Sequence, residues 1–286
     1  MTTKTDTAHA VPAGKAKKAS TAKAAWATLL PLGIILVLFF IVPIVGMAIT
    51  SLQSGSDGSW TTENYQAMLQ GTRLRAMWNS VLVSLISSLV ALVIGLIVAW
   101  CITYIKSPAL DSVTAVVSSV LSNSGGAPLA FSFIVLAGNT GYLISLLVAV
   151  DKGFSLYSIK GLVLMYQYFL IPTVVLLILP SLKALRTSWK EANTSLGGSA
   201  LTFWKRVGLP ILAPTILGVW ILEFGAAFAT HASAAVLIGT GTFPLIVLQI
   251  AAEMGASATS GGEHIAMAMG LTTTVIAIIT LCLLYT

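Results

Sequence analysis

Charge is what this chain has least of. Only 8% of its 286 residues are Asp, Glu, Lys or Arg, against ~25% in soluble domains, too few to solvate a globular surface. Cysteine is nearly absent: Cys101 and Cys282 lie far apart, each inside an apolar run, so no disulfide framework or thiol motif is implied. The three histidines, His9, His231 and His264, stand apart from each other and from both cysteines, and zinc-ligand spacing is missing. Gly125-Gly126 precedes no lysine, so the chain has no phosphate-binding P-loop of its own. No serine sits in a Gly-x-Ser-x-Gly elbow. No catalytic centre, metal site or cofactor site emerges. The net charge of +6 does not point to nucleic acid, because the cations are not grouped with aromatics on a soluble domain.

What the chain has in quantity is apolar sequence, 57% of it, arranged in runs that reach the ~20 residues needed to cross a bilayer. Residues 1–25 read as a disordered basic tail carrying Lys4, Lys15, Lys17, Lys18 and Lys23. From 26 to 286 the chain reads as one membrane domain. The run Trp26 to Thr50 is too long for a signal core and lacks a small-residue cleavage site, so it is expected to be the first span, with Pro31 and Pro43 near its ends. The second runs from about Met77 to Ile105, longer than needed and therefore tilted or projecting. The stretch from Ser112 to Ala137 reads as a third span, although Ser122 to Pro128 should break a helix there and Gly138-Asn139-Thr140-Gly141 should break it again. Tyr142 to Val150 reads as interfacial. The fourth span covers about Gly161 to Leu182 with Pro172 and Pro180 inside it, the fifth about Ile211 to His231, and the last about Ile265 to Tyr285. Gly239, Gly241 and Pro244 break the passage between the last two.

Six spans put both termini on one side, and the cations choose the side. The tail, Lys106 and the loop holding Lys183, Arg186, Lys190, Lys205 and Arg206 carry eleven, whereas the opposite side carries only Arg73, Arg75, Lys152 and Lys160. The positive-inside rule places the termini and the 183–210 loop in the cytoplasm. The passage from Ser233 to Glu263 has no cation, which agrees with the outside.

The 183–210 loop is the one long polar stretch between apolar segments. Leu196, Leu201, Phe203, Trp204 and Val207 are interleaved with its cations, so it reads as two short amphipathic helices hinged at Gly197-Gly198, a handle for a soluble partner. Glu191-Ala192-Asn193 is followed by three residues, Gly197, nine residues and Val207-Gly208-Leu209-Pro210. This spacing resembles the loop of permease subunits of bacterial binding-protein-dependent type I ABC importers: Glu-Ala-Ala, three residues, Gly, nine residues, Ile-x-Leu-Pro. Asn193 replaces the second alanine and Val207 the isoleucine; Glu191, Ala192, Gly197, Leu209 and Pro210 match. The resemblance covers about residues 77–286. It implies an all-α polytopic permease of about six transmembrane helices in a bacterial plasma membrane, itself non-catalytic. A cytoplasmic coupling helix would dock on an ABC ATPase dimer. The implied partners also include a second permease subunit, expected to be a paralogue, and an extracytoplasmic substrate-binding protein.

Glu223, in Trp220-Ile221-Leu222-Glu223-Phe224-Gly225-Ala226, falls within the fifth span. A carboxylate there costs ~2.5–3.5 kcal/mol and must face protein or water, as a substrate-pathway residue or as a structural one. The Glu-Phe-Gly-Ala run and Thr242-Phe243-Pro244-Leu245 resemble permeases of the branch that handles sulfate, molybdate, ferric iron, polyamines and 2-aminoethylphosphonate, rather than sugars. Asn79-Ser80 resembles another feature of the family and is equally readable as a helix cap. Trp26, Trp78, Trp100 and Tyr104 suit the interfacial belt, and Gly95, Gly218 and Gly225 close helix contact. An ion-gradient-driven secondary transporter is the alternative, but it calls for several intramembrane charges and internal repeats; one carboxylate and no evident repeat are found.

Overall fold

The computed structural model describes residues 29–105, 107–239, 243–255 and 261–285. The tail over 1–25, Trp26, Lys106 and Thr242 lie outside them. The chain divides into two compact units, Met1–Met47 and Ala48–Thr286. It is an all-α membrane protein, with no strand among the described residues beyond an isolated bridge between Gln53 and Trp60. Five helices are long and apolar enough to cross a bilayer, or six if one bent pair makes a single span.

The first is α1 (Leu29–Ser51), whose apolar side chains, Phe39 and Phe40 among them, are exposed. Pro43 lies well inside α1 rather than near its end. The helix absorbs it by widening into a π turn over Val37–Ile41, two residues before the proline. Proline has no N–H to donate and its ring crowds the carbonyl four residues back; a π turn makes room for it.

A short helix α2 (Glu63–Met68) precedes α3 (Gly71–Ile105), 35 residues long. At 1.5 Å per residue α3 extends about 52 Å, longer than a hydrocarbon layer of ~30 Å, and Arg73 and Arg75 lie in its first turns. Trp78 and Trp100, 69% and 50% exposed, stand about 33 Å apart along α3, the separation an interfacial belt requires. The buried face of α3 is built from small residues: Ala76, Ser80, Ser84 and Ser88 at every fourth position, then Ala91, Gly95 and Ala99. Such a stripe lets backbones approach closely. The helix that uses it is α7 (Ile159–Lys183). A Cβ on Gly95 would stand 2.5 Å from Val174 Cγ1. Gly225, by contrast, has open space around it, so only the first of these two glycines serves close packing; Gly218 is half-buried. Pro172 and Pro180 remain inside a continuous α7.

Between α3 and α7 the stretch expected as an interrupted third span is a bent helix pair, which passes as a span only when its two halves are taken together. α4 (Pro108–Ser122) and α5 (Ala127–Ala137) meet at a 100° bend, at Gly126 with φ 87°. Neither piece spans by itself: 15 and 11 residues rise about 22 and 16 Å. The breaker run 122–128 therefore turns the chain rather than merely kinking it. Gly138 caps α5 and the short α6 (Ile144–Val150) follows, flanked by the exposed Tyr142. α4 packs on α7, and α5 on α10 (Ala232–Ile238).

The loop after α7 holds α8 (Thr187–Ser195). The second expected amphipathic helix is not a separate element: it begins α9 (Ala200–Ala229), one 30-residue helix that includes the fifth span. α9 packs on α3 and α7. Then come α10, α11 (Ile246–Gly255) and α12 (Gly262–Tyr285). Met68, Phe228, Ile246 and Met269 form a second core joining α2, α9, α11 and α12.

The ends of α3 and α7 and the starts of α4 and α9 meet at the α8 end, where Lys183 pairs with Asp111 at 2.6 Å. At the other end Arg73 pairs with Glu253 at 2.7 Å, Lys160 with Asp151, and His264 Nδ1 lies 2.9 Å from the Thr50 carbonyl. Burial raises the Glu253 pKa, but hydrogen bonds from Arg73 and Gln249 outweigh it and hold the carboxyl below its ordinary 4.5. The 183–210 loop and the stretch around Gly255 thus lie at opposite ends of the bundle.

Candidate functional site

The matched residues from Glu191 to Gly197 form the end of α8 and the turn that stops it. Leu196 N donates to Ala192 O at 3.1 Å, Gly197 N to Thr194 O at 2.9 Å and Gly198 N to Asn193 O at 2.8 Å. The last two bonds are the crossed pair of a Schellman motif, which requires a left-handed residue just past the helix. Gly197 supplies it with φ 77°, a conformation that costs any residue with a Cβ. The glycine of the spacing pattern is therefore a helix stop.

Asn193, the departure from the pattern, closes the same turn. Its Nδ2 donates to Gly198 O at 3.0 Å and to Ser199 O at 3.1 Å. A Cβ on Gly198 would collide with the Asn193 side chain, which explains the second glycine. Ser199 then starts α9, its Oγ accepting from Thr202 N at 3.2 Å. The turn is braced at both ends and exposed: Leu196 is 88% and Leu201 64% exposed. Glu191 and Ala192 lie on the exposed surface of α8, and Glu191 makes no ion pair among the described residues.

Beneath the turn, Phe203 is buried and meets Trp204 edge-on at 5.8 Å. Lys190 Nζ stands 5.7 Å and 6.0 Å from these two ring centroids. A second π turn, Trp204–Gly208, precedes Pro210 by two residues, the same device that accommodates Pro43 in α1. Gly208 is needed there, because a Cβ would stand 2.6 Å from the Trp204 ring. Leu209 and Pro210 are exposed on the first turn after it. Glu191, Ala192, Gly197, Leu209 and Pro210 are thus carried by one braced helix–turn–helix.

Glu223 is elsewhere. It is 1% exposed, on the α9 face it shares with Val219 and Ala227, four residues to either side, and neither carboxyl oxygen has a hydrogen-bond partner among the described residues. The face packs toward the α3 serine stripe: Trp220 Nε1 donates to Ser88 Oγ at 3.2 Å. From α7, Gln167 Nε2 donates to Ser87 O at 3.2 Å. Ser87 Oγ, Gln167 Oε1 and Ser233 Oγ are likewise buried without partners among the described residues. Buried polar groups on α3, α7, α9 and α10 thus lack partners among the described residues, Glu223 among them.

No family model matches the chain, and no curated protein matches it. Solved structures do. A chain of a bacterial ABC transporter involved in the import of the acidic polysaccharide alginate aligns with 93% of this chain and 95% of its own length, at a TM-score of 0.73 and 16% identity. A bacterial alginate ABC transporter in complex with a pentasaccharide-bound periplasmic protein aligns over 93% of both chains, at 0.70 and 17%. The likeness is one of fold.

Within that fold the structure joins two segments that sequence reading kept apart. Asn79 and Ser80 are not a cap of their own helix, since α3 starts eight residues earlier. Asn79 Nδ2 donates to Pro244 O at 3.0 Å, and Ser80 Oγ accepts from Ile246 N at 2.9 Å. They pin the turn that begins α11, so the two sequence features meet in space. The serine stripe of α3 is legible in the sequence as a four-residue repeat of small residues, of which Ser80 belongs to the Asn79-Ser80 pair. No group of His, Cys, Asp and Glu able to hold a metal is found among the described residues.

Proposed function

We propose that this chain is the permease subunit of a binding-protein-dependent ABC importer in a bacterial inner membrane. The observation that carries the reading is the Schellman-closed turn at Gly197, displayed at one end of an importer-like fold by the residues that match the coupling pattern. In this reading the turn docks on a cytoplasmic ATPase dimer, with Glu191, Ala192, Gly197, Leu209 and Pro210 forming or bracing the contact. Closure of the ATPases drives two such turns together and opens a pathway shared with a second, paralogous permease, to which a binding protein delivers the solute. An exposed Glu191 with no ion pair among the described residues and an exposed Leu196 are what an unassembled contact should present.

The solute is proposed to be small and polar, a polyamine, phosphonate or inorganic ion, on the resemblance carried by Glu223 to Ala226 and Thr242 to Leu245. Ligand profiling of the cognate binding protein tests that class. The importer reading is tested by copurification and reconstitution. An ATPase should copurify, and Glu191→Lys or Gly197→Asp should leave the chain in the membrane while separating ATP hydrolysis from uptake. Unchanged substrate-stimulated hydrolysis in Gly197→Asp complexes refutes it, and gradient-driven uptake by the lone chain establishes the secondary transporter instead.

A further inference from the structure

Beside the turn, at the α8 end of the bundle, lies a cavity of about 760 Å³, within the ~300–1,000 Å³ range of small-molecule sites. The ends of α3 and α7 and the starts of α4, α8 and α9 enclose it. Its walls are of two kinds. Trp100, Tyr104 and Trp204 give it aromatic sides, and Trp100 and Tyr104 are 50% and 80% exposed. Lys183, Lys190 and Thr187 line the part nearest the loop, with Asp111 as the opposing charge.

The charges do not cancel. Asp111 Oδ2 pairs with Lys183 at 2.6 Å, while its Oδ1 has no partner among the described residues, so two lysines stand against one carboxylate. Lys190 has no ion pair among the described residues and is held only over the faces of Phe203 and Trp204. Thr187 begins α8, and no side chain caps that helix start, so its free N–H groups add positive potential. Arg186 lies between the lining residues Leu185 and Thr187. A basic pocket between transmembrane helices at the level of an aromatic belt has the chemistry of a lipid phosphate site.

We propose that this cavity binds the headgroup of an anionic phospholipid. The phosphate meets Lys190 Nζ and the start of α8, and the glycerol and upper acyl chains lie along Trp100, Tyr104 and Trp204. The lipid thereby seats itself against the segment that positions α8, and bilayer composition acts on the turn.

The test uses the full chain purified in a neutral detergent, titrated with phosphatidylglycerol or phosphatidylcholine and read by native mass spectrometry. One phosphatidylglycerol per chain should be retained in preference to phosphatidylcholine. Lys190→Gln should weaken that retention ~5-fold, the effect of one cation near a membrane surface; Lys190→Arg should restore it, and Lys205→Gln, outside the lining, should leave it unchanged. Equal retention of the two lipids, or wild-type retention by Lys190→Gln, overturns the proposal. Competition by glycerol 3-phosphate at the lipid's own concentration also overturns it, by assigning the site to a free phosphate. Because retention is read without an ATPase, failure here is distinct from failure of the importer reading.

Discussion

Gly197→Ala adds one methyl group to a turn that has room for it: a Cβ at this position meets nothing within 4 Å. The whole effect must therefore come from the backbone, held at φ 77°. A left-handed conformation costs a residue with a Cβ about 1–2 kcal/mol, so the closed turn should lose ~5–30-fold in population relative to open forms. The amides that report it are those of Gly197 and Gly198, which donate to Thr194 O and Asn193 O. Hydrogen exchange at these two amides should accelerate by that factor, while core amides of α3 and α7 stay protected, because the turn is exposed and contributes nothing to the core. Gly197→Asn should fall between wild type and alanine, since asparagine tolerates this conformation better. Asn193→Ala should loosen the same amides by removing the clamp on Gly198 and Ser199. If exchange at Gly197 and Gly198 is unchanged in Gly197→Ala, or if asparagine is no better than alanine, the left-handed stop is not what the glycine is for.

Cysteines placed at Gly58 and Gly255 should react with an impermeant reagent in intact cells and cysteines between Lys190 and Lys205 should not; cytoplasmic protection at Gly255 would break the span order. Gly95→Val should lower the melting temperature in detergent by overpacking against Val174, a loss of about 1–3 kcal/mol, whereas Gly225→Ala should leave it unchanged; equal behaviour of the two would contradict the close α3–α7 contact. Glu223→Gln keeps the shape and removes the charge: a pathway role predicts reduced uptake with assembly and basal ATPase activity intact, and a structural role predicts reduced assembly with normal transport per complex. Normal assembly with wild-type uptake would exclude any charge-dependent pathway role.

The sequence by itself determined what composition and local spacing can determine. With 8% charge there is too little polar surface for water, and runs of ~20 apolar residues must become helices because lipid leaves no other partner for the backbone. The Gly197 turn was readable for the same reason: a left-handed C-terminal residue is a local demand that glycine meets without steric cost. The breaker run 122–128 announced an interruption, but its angle depends on what α4 and α5 pack against, and local sequence does not carry that. Continuity is not legible where a short polar helix meets a span, since the π turn before Pro210 lets α9 run through from Ala200. Pairing across the chain was decided by tertiary structure alone. Asn79 and Ser80 find Pro244 and Ile246 some 165 residues away, Arg73 finds Glu253, and Glu223 is buried rather than exposed to lipid. Nothing in a local period specifies such partners; they follow from which helix faces are small enough to approach, as Gly95 approaches Val174.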